Sequence, residues 1–229
     1  MNRNYFSLGT NCTIGYNLKH FKMMKSSGLV DSFISPYSGL LWLFENKFNL
    51  VTDSFDYYLD KVSIANTDTI IHRPSGLIMH HAFSRRDDGR IIENWKSEVN
   101  NVSNKYKFLG DRMRNSIFLS ENPIFFITHD ILSDEDKDRI LSPYQANISK
   151  SDDVIFRIIK QARISFERNL KFVCVDIREN TKKSIINLDG TKIEELHYYG
   201  EWHDDNPSHF GGCKRGWREL FDRVNNSII

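Results

Sequence analysis

Cys12 closes a turn whose make-up favours sulfur chemistry. In Ser7-Leu8-Gly9-Thr10-Asn11-Cys12 a short apolar segment, Tyr5-Phe6-Ser7-Leu8, stops at Gly9. From Cys12 onward Ile14, Leu18 and Phe21 recur at helical spacing. The thiol is thus placed near the first turn of a predicted helix, where unpaired backbone N–H groups and the positive dipole end favour an anion. The thiolate is the nucleophilic form, so this position predicts a thiol pKa below its ordinary value. The same N–H groups, with the Asn11 side chain, could receive an oxyanion. A small core residue is the other reading of Cys12, because free cysteine is often buried. Cys174, inside an apolar run, and Cys213, near a helix start, read as structural.

A thiol nucleophile needs an imidazole to take its proton and return it to the leaving group. His80 and His209 are the two candidates for that base. Asp205, or Asp204 beside it, could orient His209, although Asp205-Asn206-Pro207-Ser208 also reads as an ordinary surface turn. Asp31, His81 and His129 are candidate substrate-binding residues. Trp202, in a polar stretch with His203 and Asp204, is the tryptophan best suited to ligand contact. Trp42, Trp95 and Trp217 fall among apolar residues at helical spacing, as core residues do. His80-His81 and His129-Asp130 could donate to a metal, but no H-E-x-x-H or C-x-x-C spacing accompanies them. No metal and no cofactor are therefore expected. The turn also lacks the glycine density of a dinucleotide loop, though the helix start after it could bind an anionic group. Arg85-Arg86-Asp87-Asp88-Gly89-Arg90 reads as a solvated turn, with a mobile flap as the alternative.

These residues need elements to position them. Tyr5–Leu8, Leu29–Ile34, Thr69–Ile71, Gly76–Met79, Pro123–Thr128, Leu170–Val175 and Ile193–Tyr199 are the predicted strands. Helices are predicted after Cys12, over Leu40–Phe48, from about Ile92 to Leu119 with a break near Gly110 as the alternative, from Asp152 and from Cys213 to Val224. Pro123–Thr128 is apolar on both faces, as a central parallel strand should be. Alternating strands and helices indicate a single α/β domain over residues 1–229, with a three-layer α/β/α arrangement and a mostly parallel central sheet. In such sheets ligands bind beyond the carboxyl ends of the strands. If the strands are parallel neighbours, Cys12, Asp31, His80-His81, His129 and the Trp202–His209 stretch converge on one rim.

Composition narrows the classes. The 229 residues carry 31 Lys plus Arg against 30 Asp plus Glu, a formal charge of +1, which argues against a protein made to coat nucleic acid. No apolar run approaches the roughly 20 residues of a membrane span, and no signal-peptide core is present. Three widely spaced cysteines do not suggest a disulfide framework, so a reducing, cytoplasmic setting is expected.

The Ser7–Cys12 turn, followed by a helix and then Val30-Asp31-Ser32-Phe33-Ile34-Ser35-Pro36, resembles the opening of a bacterial family labelled as papain-like cysteine peptidases. Members begin S-L-G-x-N-C, continue with an F-D-W-like segment leading to S-P, and later carry H-D-F and W-x-x-D-D elements. Here the later elements read His80-His81-Ala82-Phe83 and Trp202-His203-Asp204-Asp205, with Trp217 beyond. Ser32 stands where the family has tryptophan, and His81 where it has an acid. The resemblance implies Cys12 as nucleophile and His80 as base. The order of elements is also similar, by position, to SGNH-type hydrolases, which would make His209 the base. The expected activity is a thiol-dependent hydrolase or transferase acting on a small-molecule, peptide or glycan substrate. The alternatives are a non-catalytic ligand-binding or accessory protein of surface-polysaccharide assembly, and an SGNH-like esterase.

Overall fold

The computed structural model describes residues 3–9, 12–50, 53, 56–64, 67–129, 152–179, 186–188, 191–198 and 214–227. In chain order its elements are β1 (Arg3–Leu8), α1 (Thr13–His20), α2 (Tyr37–Glu45), β2 (Tyr57–Ile64), β3 (Thr67–His72), β4 (Leu77–Ile78), α3 (Val99–Leu119) and β5 (Asn122–His129). There follow α4 (Asp152–Phe166), β6 (Lys171–Glu179), β7 (Ile186–Leu188), β8 (Thr191–Tyr198) and α5 (Lys214–Ser227). The chain is mixed α/β. One sheet has the order β1-β5-β6-β8-β7 and the other β2-β3-β4. β1 with β5, β5 with β6 and β6 with β8 are parallel pairs, while β7 closes the far edge antiparallel to β8.

The period-two alternation of strands divides the central apolar runs between two cores. On one face Ile124, Phe126, Val173 and Val175 are buried with Ile14 and Leu18 of α1 and with Trp217, Leu220, Phe221 and Val224 of α5. On the other, Phe125, Ile127, Phe172 and Cys174 are buried with Phe44 of α2, Tyr106 of α3 and Ile158 of α4. Phe125 stacks between Phe6 and Phe172, with ring centroids 4.9 and 5.2 Å apart. The small sheet joins this second core through Ile70, Leu77 and Met79.

Three expectations need correction. Leu29–Ile34 is not a strand of the parallel sheet. Val30–Ser32 forms a 3-10 turn instead, because the Asp31 carboxylate accepts the Gly28 N–H at 2.8 Å and Phe33 N–H returns to Val30 C=O. Only Ile34 keeps an extended pairing, an antiparallel bridge to Ile78. The Gly76–Met79 run does form a hairpin with the preceding strand across the predicted turn, yet it lies in the separate antiparallel sheet. It therefore does not deliver His80-His81 as a parallel neighbour of β1. Finally, α3 runs unbroken through Gly110. A Cβ there would sit 2.1 Å from the Phe48 carbonyl oxygen, so glycine serves close approach between α3 and the turn after α2, not a helix break.

Candidate functional site

Because β1, β5, β6 and β8 are parallel, their carboxyl ends share one edge of the sheet. Cys12 lies there, past β1 and Gly9, as the half-buried N-cap residue of α1. Its carbonyl accepts the Tyr16 N–H at 2.9 Å, which starts the helix. His129 is the last residue of β5, in register with Asp176 of β6, so the backbone brings both toward the same rim.

Beneath Cys12 is a carboxylate that composition alone would not place there. The Asp31 side chain is only 5% exposed. Its Oδ2 accepts the Gly28 N–H and lies 3.8 Å from Lys19 Nζ, and the Ser7 hydroxyl is near enough to favour the charged carboxylate. Oδ1 is buried with no hydrogen-bond partner among the described residues. The carboxylate rests on Gly15 of α1, where an added Cβ would meet Oδ1 at 2.3 Å. Burial pushes the Asp31 carboxyl up, against the lowering effects of Gly28 N–H, Lys19 and Ser7.

This arrangement reverses the expected direction for the thiol. Burial pushes Cys12 up, its backbone N–H lowers it, Asp31 raises it and Lys19 lowers it, and the net displacement is upward. The helix start is present as predicted, but desolvation and a buried carboxylate outweigh it.

His80 and His81 form a second group just past β4. Their rings meet edge to face with centroids 4.5 Å apart. Burial lowers His80 to about 4, helped by His81 and Arg85, and its Nδ1 is buried without a hydrogen-bond partner among the described residues. His81 is more exposed and shifted in the same direction. Arg85 holds this group in place: its guanidinium donates to the carbonyls of His80 (2.8 Å), Asp68 (2.9 Å) and Gly89 (2.6 Å). Sequence reasoning put Arg85 with the solvated loop, and its neighbours Arg86, Asp87 and Asp88 are indeed exposed. Arg85 alone turns inward.

The two groups are tied through the backbone. The Ile34–Ile78 bridge sets the segment leaving Asp31 alongside the strand leading to His80. Among the described residues, no hydrogen bond joins Cys12 to His80 or His81. Asn11, Trp202, Asp204, Asp205, His209 and Cys213 lie outside the described residues. Ser7, Gly15, Lys19 and Gly28 were missed as site residues. Gly15 carried a signal, since a glycine inside a helix is costly and often marks close approach.

Among the described residues, no cluster of three or more His, Cys, Asp or Glu side chains is placed to hold a metal ion, and no helix is long and apolar enough to cross a membrane. No protein-family model matches the sequence, and no curated protein or solved structure matches it either.

Proposed function

We propose that this chain is a thiol-dependent hydrolase or transferase in which Cys12 attacks an acyl group of a small-molecule, peptide or glycan-linked substrate. The observation that carries the reading is the position of Cys12: a half-covered thiol on a helix N-cap, at the carboxyl edge of parallel strands. That edge is where open α/β sheets bind ligands. We read the parallel sheet as the middle of three layers, which leaves this rim between the covering helices for a ligand. His80 is the favoured base, on the segment bridged to the one carrying Asp31. It is neutral at pH 7 and so has a lone pair to offer. Sulfur bonds the substrate carbonyl carbon as the thiol proton passes to the imidazole. The imidazolium then returns that proton to the leaving group, and water or an acceptor releases the acyl group.

With the thiol raised and the imidazole lowered, the resting pair is neutral, not a thiolate–imidazolium ion pair. Activation falls to the bound state, when a substrate donor to Asp31 offsets the charge that opposes the thiolate. A second reading is non-covalent: the enclosed Asp31, with Oδ1 unpartnered among the described residues, could grip a polar ligand without turnover. Mass spectrometry after incubation with activated ester and thioester donors separates the two. An acyl adduct on Cys12, absent from Cys12→Ala, is the expected result. Ligand binding retained by Cys12→Ala, with no adduct from any donor, would sink the catalytic reading in favour of the non-covalent one.

A further inference from the structure

A cavity of about 580 Å³ lies against β1, away from Cys12, and touches three consecutive residues of the strand, Asn4, Tyr5 and Phe6. Successive strand residues point to opposite faces, so a hollow that meets three in a row runs along the strand's edge. That edge is open. β1 is the last strand on its side of the sheet, paired with β5 alone among the described residues. One wall is α3, with Leu109 and Met113; the other is Tyr5, whose hydroxyl donates to Asn225 of α5 at 2.7 Å. The segment Lys22–Gly28 also lines the cavity. It is held in place, not paired onto the strand: Met23 and Met24 N–H both bond Leu18 C=O, and Arg112 bonds Ser27 C=O. Lys22, Lys25 and Arg112 supply positive charge, and no aspartate or glutamate lines the hollow among the described residues. In a chain of net charge +1 this is a local concentration of cations.

We propose that this edge accepts an added strand, an extended acidic segment of a partner protein. The main-chain groups of β1 would bind its backbone, as in β-strand addition. One set of its alternating side chains would meet Leu109 and Met113, and its carboxylates would meet Lys22, Lys25 and Arg112. The class of partner follows from the chemistry: an edge ladder selects extended backbone, and the cations select acid. Lysines beside an open edge also serve to keep other strands away, and this is the reading the experiment must beat.

Fluorescence anisotropy with a labelled short peptide alternating glutamate and valine tests the site. Saturable binding is expected, weakened at least about tenfold in a Lys22→Glu/Lys25→Glu variant, whose altered side chains are both exposed. N-methylation of the peptide backbone should abolish binding while leaving the charges intact. Binding that survives N-methylation, equal binding of a lysine–valine peptide, or no binding at all would each overturn the proposal. So would full displacement by inorganic phosphate at concentrations that leave an unrelated ionic complex intact, which would mark a small-anion pocket instead.

Discussion

Asp31, beside β1, and His72, at the end of β3, are both almost wholly enclosed, yet they sit among different partners. Asp31 has a cation, a backbone N–H and a hydroxyl around it, and still its carboxyl is pushed up. His72 is fully buried and meets mainly a neutral hydroxyl: its Nδ1 is 2.6 Å from Ser75 Oγ. Ser75 Oγ also accepts the Leu77 N–H at 3.1 Å, so the hydroxyl ties the imidazole to the turn. The rings of Trp42 and Tyr57 pack against it at 5.3 and 5.5 Å. Burial lowers His72 to about 4, with Asp56 opposing. Desolvation thus drives both groups toward neutrality, the acid upward and the base downward. The difference lies in what could reverse it. Asp31 is surrounded by groups that favour its charge and lies under a half-open thiol, whereas His72 is locked into a hairpin turn.

The largest effect should come from acid. The folded pKa of His72 lies below the unfolded value of 6.5, so the unfolded chain takes up a proton that the folded chain refuses. The stability at issue is present in full above pH 6.5 and is lost as pH falls toward 4. At about 1.4 kcal/mol per unit the loss approaches ~3 kcal/mol. His80, lowered to about 4 as well, acts in the same window with the same sign. His72→Phe should flatten this dependence without abolishing it, measured as urea midpoints at pH 7 and pH 4.5. An unchanged slope would show that the hairpin histidine is not the group that resists protonation.

Next comes Gly15→Ala. Helix propensity alone would favour alanine by about 1 kcal/mol. Here the new Cβ would lie 2.3 Å from Asp31 Oδ1 and 2.5 Å from Cγ, and that carboxylate is only 5% exposed. A net loss of about 2 kcal/mol is expected from overpacking. Combining it with Asp31→Ala should recover part of that loss, a non-additivity diagnostic of direct contact. Simple addition of the two effects would place the strain elsewhere.

The comparison also explains what was legible beforehand. The alternation Ile124-Phe125-Phe126-Ile127 reads directly as a strand buried on both faces, and Trp217, Leu220, Phe221 and Val224 read as the inner face of a helix. Such periodicities are local. The hairpin turn before Gly76 was legible for the same reason. The pairing of that hairpin with β2 instead of the parallel sheet is non-local, and apolar runs of the same length fit either sheet. Leu29–Ile34 has the composition of a strand, and the Gly28 N–H captured by Asp31, with the Phe33 N–H returned to Val30, makes it a turn. For the site, the β1–Gly9–α1 corner was visible in residue order. The ionisation state of Cys12 was not, because it depends on a carboxylate brought in from the next segment and on how deeply both are covered.

The smallest change is the most informative about Cys12. Asp31→Asn keeps an oxygen to accept the Gly28 N–H and leaves Lys19 in place, so stability should move by no more than about 1 kcal/mol. It removes the negative charge that opposes the thiolate, while burial, the larger cause, stays. The alkylation rate of Cys12 by iodoacetamide at pH 7 should therefore rise, roughly threefold to tenfold, because each unit of thiol pKa is worth tenfold in thiolate when the thiol is mostly protonated. Cys174, fully buried in β6, provides the unreactive internal reference. A rise would mark Asp31 as a brake on the resting thiol, one that a substrate releases by neutralising or hydrogen-bonding the carboxylate. A fall would mean the carboxylate assists deprotonation. Asp31 would then be the proton acceptor of the site, and the histidines past β4 would lose that role.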